Sequence, residues 1–231
     1  MVFMGSILTL DLKGLFSAVV LGILLFVLGG TEGPLFLLSM LFFLIASAGV
    51  TVVKYSRKRA MNVHERSRGW KNVWANGAIP LFLALLYFIA EVHGGINGAD
   101  IIVAYMASVA AITADKFSSE LGVLDKKTYM LIGLKPVRAG ISGGISIIGL
   151  AAGLCAAVLV ALIFSFGLSF SLAAIAVVII SGFIGDVVDS LFGYFEEKGI
   201  GNKFTSNVAC AASAAIIALF VYGAVFGTYL I

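Results

Sequence analysis

Apolar residues in this chain neither alternate nor recur at helical spacing; they run. Seven runs stand out, at 14–29, 34–53, 73–92, 99–114, 144–166, 170–192 and 205–229. Most approach the ~20 residues that cross about 30 Å of hydrocarbon as a helix. The first and fourth are short. The fourth passes into TADKFSSELG (113–122), so a break in the helix near Thr113 is expected. The pattern predicts an all-α, polytopic membrane bundle of about seven transmembrane helices. No Pro- or Ser-rich linker divides it, so 1–231 reads as a single integral membrane domain.

Composition agrees. The chain is 61% hydrophobic with a mean hydropathy of +1.12, and its 12% of charged residues is about half the share of a soluble domain. Charge position adds the topology. With seven spans, all 15 Lys and Arg fall on one side. They are Lys13; the loop of Lys54, Arg57, Lys58, Arg59, Arg66, Arg68 and Lys71; then Lys116, Lys126, Lys127, Lys135 and Arg138; then Lys198 and Lys203. The positive-inside rule puts that side, with the N-terminus, in the cytoplasm and Ile231 outside. The expected location is a cell membrane, crossed several times. No cleaved signal peptide is expected ahead of the first run. Cys155 and Cys210 both sit in apolar runs and read as thiols buried in lipid. His64 and His93 fall on opposite sides and receive no metal role.

Five polar constellations carry candidate chemistry. In IISGFIGDVVDSLFGYFEE, Asp186 and Asp189 are three apart and share a helix face, with Ser190 one turn beyond Asp186 and Gly182 and Gly193 nearby. Ionised acids in an apolar helix are costly and functional by default. In TADKFSSELG, Asp115 and Ser119 are one turn apart, whereas Glu120, five residues on, leaves that face unless the helix breaks. These supply up to four carboxylates at one membrane face, hard oxygen donors suited to Mg²⁺ or Mn²⁺. In RSRGWKNVWANG, Arg68, Asn72 and Asn76 make one polar stripe at i, i+4 and i+8. In KPVRAGISGGISIIG, Lys135 and Arg138 precede Ser142, Gly143, Gly144 and Ser146 at a helix start, a candidate phosphate cradle. In KGIGNKFTSNVA, Thr205 or Ser206 caps the last helix and Asn207 lies deeper, able to join the polar site.

The segments RGWKNVWANG (68–77), ADKFSSELG (114–122), GISGGISIIGLAAG (140–153), GDVVDSLFG (185–193) and TSNVA (205–209), in this order, resemble the integral membrane family of transmembrane protein 19 and the phytyl-phosphate kinases. The chain departs from that pattern at Lys116 and Phe117, where the family shows Thr and Trp, and at Ile141-Ser142. The resemblance runs nearly end to end. It implies phosphoryl transfer from a nucleoside triphosphate, CTP in the first place, to an isoprenyl monophosphate embedded in membrane lipid. On that reading Asp115, Asp186 and Asp189 hold the metal, with Glu120 as a further catalytic acid. Lys135, Arg138, Ser142, Gly143, Gly144 and Ser146 hold phosphates, and Arg68, Asn72, Asn76 and Asn207 orient substrates. No nucleic-acid partner is expected, and a homo-oligomer stays open. The alternatives are a transporter or lipid flippase, which would place polar groups near the midplane and reachable from both sides, and a CDP-lipid-forming cytidylyltransferase.

Overall fold

In the computed structural model, which describes residues 10–63, 68–95, 97–168 and 170–226, each apolar run is a helix. They are α1 (Leu12–Leu28), α2 (Gly33–Val52), α4 (Trp70–His93), α5 (Gly98–Gly122), α6 (Ile147–Leu168), α7 (Leu172–Glu196) and α8 (Lys203–Phe226). A short α3 (Tyr55–Ala60) follows α2. Six of these are long and apolar enough to cross a membrane; α1, with 17 residues, is the shorter seventh. His64, Arg66 and Ile231, used in the charge pattern, lie outside the described residues.

Polar residues mark the helix starts because the first turn of a helix has N–H groups without internal partners. Asp11 accepts from the N–H of Gly14 at 2.7 Å, Asn97 from Ala99 at 3.0 Å, Ser146 from Gly149 at 3.1 Å and Ser171 from Ala174 at 3.1 Å. At the end of α2 a lysine serves instead. Lys54 adopts left-handed backbone (φ 48°), the chain reverses into α3, and the Lys58 ammonium donates to the carbonyls of Val50 (3.3 Å) and Thr51 (2.7 Å).

The break expected near Thr113 does not occur. α5 continues unbroken to Gly122, eight residues past the expected end, because its polar stretch packs inside the bundle. α5 is the central pillar, in contact with α2, α4, α6, α7 and α8. Alanines make this possible. Ala110 and Ala111 face Gly182 and Gly185 of α7 so closely that a Cβ on either glycine would stand 2.7 Å from an alanine methyl. Small residues of this kind let membrane helices pack backbone to backbone. Within the pillar the Tyr105 hydroxyl donates to the Phe36 carbonyl at 2.8 Å while its ring stacks on Phe36.

The all-α expectation holds with one addition. Between α5 and α6 the chain forms a small antiparallel sheet, β1 (Thr128–Met130) flanked by β2 (Pro136–Val137) and β3 (Gly144–Ile145). The helices alternate in direction, so every described Lys and Arg lies at or beyond one end of the bundle. The opposite end carries Glu32, Glu91, His93 and Asp100, and there Thr31 bonds Glu91 and Tyr87. Cys210 is buried in the bundle and Cys155 lies on the outer face of α6, both within apolar helices.

Candidate active site

At the basic end, α5 and α7 bring three acids together and α8 sets a lysine beside them. Asp186 and Asp189 share the inner face of α7, and Asp115 faces them from α5; all three are buried. Each carboxylate has a polar neighbour. Ser118 Oγ donates to Asp186 Oδ1 at 2.6 Å, and the Lys203 ammonium donates to Asp189 Oδ2 at 2.7 Å and lies 3.6 Å from Asp115 Oδ1. The second oxygens, Asp186 Oδ2 and Asp189 Oδ1, are buried without a hydrogen-bond partner among the described residues. Gly153 of α6 makes room for one of them: a Cβ there would stand 2.3 Å from Asp186 Oδ2.

These groups open on a cavity of about 260 Å³, whose other wall is the segment Gly140–Ser146. The segment is held against α7 by two glycines. Gly143 adopts left-handed backbone (φ 75°), and a Cβ on it would meet the amide N of Tyr194 at 2.4 Å. A Cβ on Gly193 would meet the amide N of Gly143 at 2.3 Å. Glu197 accepts the N–H of Ser142 at 3.1 Å, and the Gly143 carbonyl accepts from Leu131 at 3.0 Å. Asp125 ties the base of the sheet to α6. Its carboxylate accepts the N–H of Ile148 first, then those of Lys126 and Lys127, and this holds its carboxyl below the usual range.

Of the expected site residues, Asp115, Asp186, Asp189, Ser142, Gly143, Gly144 and Ser146 line this cavity. Glu120 reaches its edge, but its carboxylate turns away into a separate network. It accepts from Lys58 at 2.5 Å, Lys116 at 2.6 Å and Thr51 at 2.9 Å. On an unbroken helix five residues carry it off the face of Asp115, which removes it from the acid cluster.

The polar stripe on α4 also goes elsewhere. Asn76 donates to the carbonyl and side-chain oxygens of Asn72, at 2.9 and 3.3 Å, so these two share a face of α4, while Arg68 precedes the helix and bridges to Leu10. Yet Arg68 and Asn72 line an apolar groove of about 610 Å³ between α1, α2 and α4, with Arg68 donating to Ser47 and Thr51. Asn76 is buried and does not line the acid cavity. The expected convergence of Asn76 with the acids is thus not seen.

Lys135 and Arg138 are exposed on the small sheet, outside the cavity lining. Lys135 contributes its carbonyl to the hairpin, and Arg138 donates to the carbonyl of Met61 at 3.3 Å, tying the sheet to the segment after α3. Asn207 is buried one turn beyond Lys203, with its Oδ1 unpartnered among the described residues.

Two cavity groups were not anticipated. Ser118 is one turn from Asp115, a spacing visible in the sequence. Lys203 counts there only as a topology charge, although it lies four residues before Asn207 and therefore on the same helical face.

The site also bears on the metal. Among the described residues, no three acidic, His or Cys side chains are set around one preformed metal position. The donors still fit Mg²⁺ or Mn²⁺. Such ions use one or two protein carboxylates and take their remaining ligands from water and substrate phosphates, and two buried carboxylate oxygens here stand unpartnered.

The family described as integral membrane protein DUF92 matches residues 2–214. An uncharacterized membrane protein of Methanocaldococcus jannaschii is 34% identical over 215 residues, covering 92% of this chain and 86% of its own. Protein PGR of Arabidopsis thaliana is 29% identical over 80% of this chain and 71% of its own. Protein VTE6, chloroplastic, from the same plant, is 29% identical over 86% of this chain and 60% of its own. No solved structure matches the chain. The sequence motifs, the multi-pass helical fold and these matches agree: the chain belongs to the integral membrane protein family DUF92.

Proposed function

We propose that the protein is a membrane phosphotransferase that moves the terminal phosphoryl group of a nucleoside triphosphate, CTP in the first place, to an isoprenyl monophosphate. The observation that carries this reading is the cavity itself. Three buried carboxyls, Lys203 and a glycine-rich turn face one another at the end of the bundle that holds the basic residues. Family membership and the kinship with plant relatives support it.

The chemistry suits the place. A prenyl tail stays in lipid while its phosphate sits at headgroup level, where a nucleotide arrives from water. An oxygen of the monophosphate attacks the terminal phosphorus, the bond to the bridging oxygen breaks, and the nucleoside diphosphate leaves. Such transfers depend on positioning and charge neutralisation. Asp186 and Asp189, with Asp115 beside them, would hold Mg²⁺ or Mn²⁺, which supplies charge neutralisation at the phosphates when bound. The Ser142 hydroxyl is the donor the turn would offer to phosphate oxygens, since the Gly144 N–H and the Ser146 hydroxyl already donate to the carbonyls of Ile141 and Gly122. The core beyond the acids is packed with Ala104, Ala107, Val109 and Ala110, fully buried, which favours a one-sided site over a through-pathway.

The experiment is direct. Purified protein in nanodiscs receives a panel of prenyl monophosphates with CTP labelled at the γ-phosphate or, in a parallel reaction, in the cytosine base, and lipids are analysed. Labelled isoprenyl diphosphate is the expected product. A CDP-linked lipid would show cytidylyl transfer instead, and no labelled lipid with any acceptor or nucleotide would refute the reading.

A further inference from the structure

We propose that Lys203 and a divalent cation compete for Asp189 and Asp115, and that Lys203, once displaced, becomes a ligand of the nucleotide's phosphates. The nucleotide half rests on the phosphotransferase reading; the competition does not.

The partners are unequal in mobility. Asp115 and Asp189 project from packed helices, with side chains 12% and 9% exposed. Lys203 is the first residue of α8, its side chain is 52% exposed, and it follows a turn in which Gly199 and Gly201 both adopt left-handed backbone (φ 78° and 83°). The acids are fixed and the ammonium, on a long flexible stem, is the part that can leave.

Charge and valence point the same way. One ammonium faces three carboxyls, and it reaches only one oxygen of Asp189 and, at 3.6 Å, one of Asp115. Asp189 Oδ1 and Asp186 Oδ2 stay buried and unpartnered among the described residues. A divalent ion, which gathers several oxygens, answers that surplus better than a second ammonium could. It cannot share the same oxygens with Lys203, because like charges at contact distance repel strongly in a site sheltered from water. Displaced, Lys203 still lines the cavity opposite Ser142–Ser146 and so faces the place where phosphates would lie. Entry of the metal would thus deliver a cation to the nucleotide.

Two measurements on the full-length protein in nanodiscs test this. Mn²⁺ binding without nucleotide is read from the electron paramagnetic resonance of the free ion. Lys203→Met is expected to bind Mn²⁺ about tenfold more tightly than wild type or more, Lys203→Arg to stay near wild type, and Asp189→Asn to lose binding. The second needs no variant. Acylation of Lys203 by an amine-reactive ester, read by mass spectrometry against Lys127, should rise severalfold when Mg²⁺ is added and fall again with Mg²⁺ plus CTP. Lys203→Met binding Mn²⁺ no more tightly than wild type, or Lys203 acylation indifferent to Mg²⁺, would overturn the competition. Acylation that rises with Mg²⁺ but ignores CTP would overturn the phosphate role alone. Competition without any transfer to prenyl phosphate would leave it standing while the phosphotransferase reading fell.

Discussion

Gly193→Ala should damage the site while barely touching the fold. The added methyl would stand 2.3 Å from the amide N of Gly143, 2.9 Å from its Cα and 3.0 Å from the carbonyl carbon of Ser142. All three are backbone atoms, so no side chain can rotate aside and the glycine segment must withdraw by roughly 1 Å to regain ordinary contact. Overpacking of this kind costs about 1–3 kcal/mol. Alanine recovers ~1 kcal/mol as the better helix former, so the net loss of stability is about 0–2 kcal/mol. A displacement of that size near reacting groups costs about 10²-fold in rate, which is the expected fall in kcat/KM. Hydrogen exchange tests the geometry without assuming the activity. The amides of Leu131, Ser142 and Gly144, each bonded to or within the segment, should exchange faster in the variant, with α5 unchanged. Gly49→Ala on α2, where a Cβ meets nothing within 4 Å, is the control and should be neutral or stabilising. Wild-type exchange over residues 139–146 in Gly193→Ala would refute the argument that these two glycines seat the loop.

Three further outcomes follow from the same geometry. Lys58→Met should destabilise the protein by about 3–5 kcal/mol, since it leaves Glu120 and two α2 carbonyls short of a fully buried donor; a variant melting with wild type would show that this network carries no weight. Asp186→Asn and Asp189→Asn should abolish metal-dependent transfer and leave the melting temperature close to wild type; full activity in chelator or in both variants would end the metal reading. Single cysteines at Arg59, Lys127 and Lys198, all exposed, should be labelled only from the cytoplasmic side, and one at Gly95 only from outside; outside labelling at position 127 would break the seven-helix topology.

The spans were legible because lipid imposes a simple code, a run long enough to cross it. The ends were less so. α5 outlasted its apolar run because residues 113–122 turn their polar groups towards α2, α3, α7 and α8, and burial by protein is invisible to hydropathy. Asp115, Asp186 and Asp189 could be read because acids in apolar helices need a reason. Glu120 could not be placed until the helix was known to be unbroken, since one residue's phase decides which neighbour it meets. Asn72 and Asn76 did share a face while Arg68 fell before the helix began, and periodicity gives a helix its faces without saying which neighbour each face meets. The sheet at 128–145 escaped because strands of two or three residues carry no period to detect. Lys203 was hidden by its own type: at a membrane boundary a lysine is explained by topology before chemistry is considered.

The burial of α5 bears on how the protein reaches the bilayer. Its mean hydropathy of 1.4 is the lowest of the six long helices, and 78% of its most apolar window is covered by protein. It also carries Asp100, Asp115, Lys116 and Glu120, and charged residues weigh heavily against entry of a lone segment into lipid. α5 therefore makes a poor stop for the insertion machinery when it emerges. The helix around which the bundle is organised is the one least able to insert unaided. During synthesis it must be held beside α4 until α6, α7 and α8 arrive to cover its acids, which makes the last third of the chain a condition for the middle third to remain in the membrane.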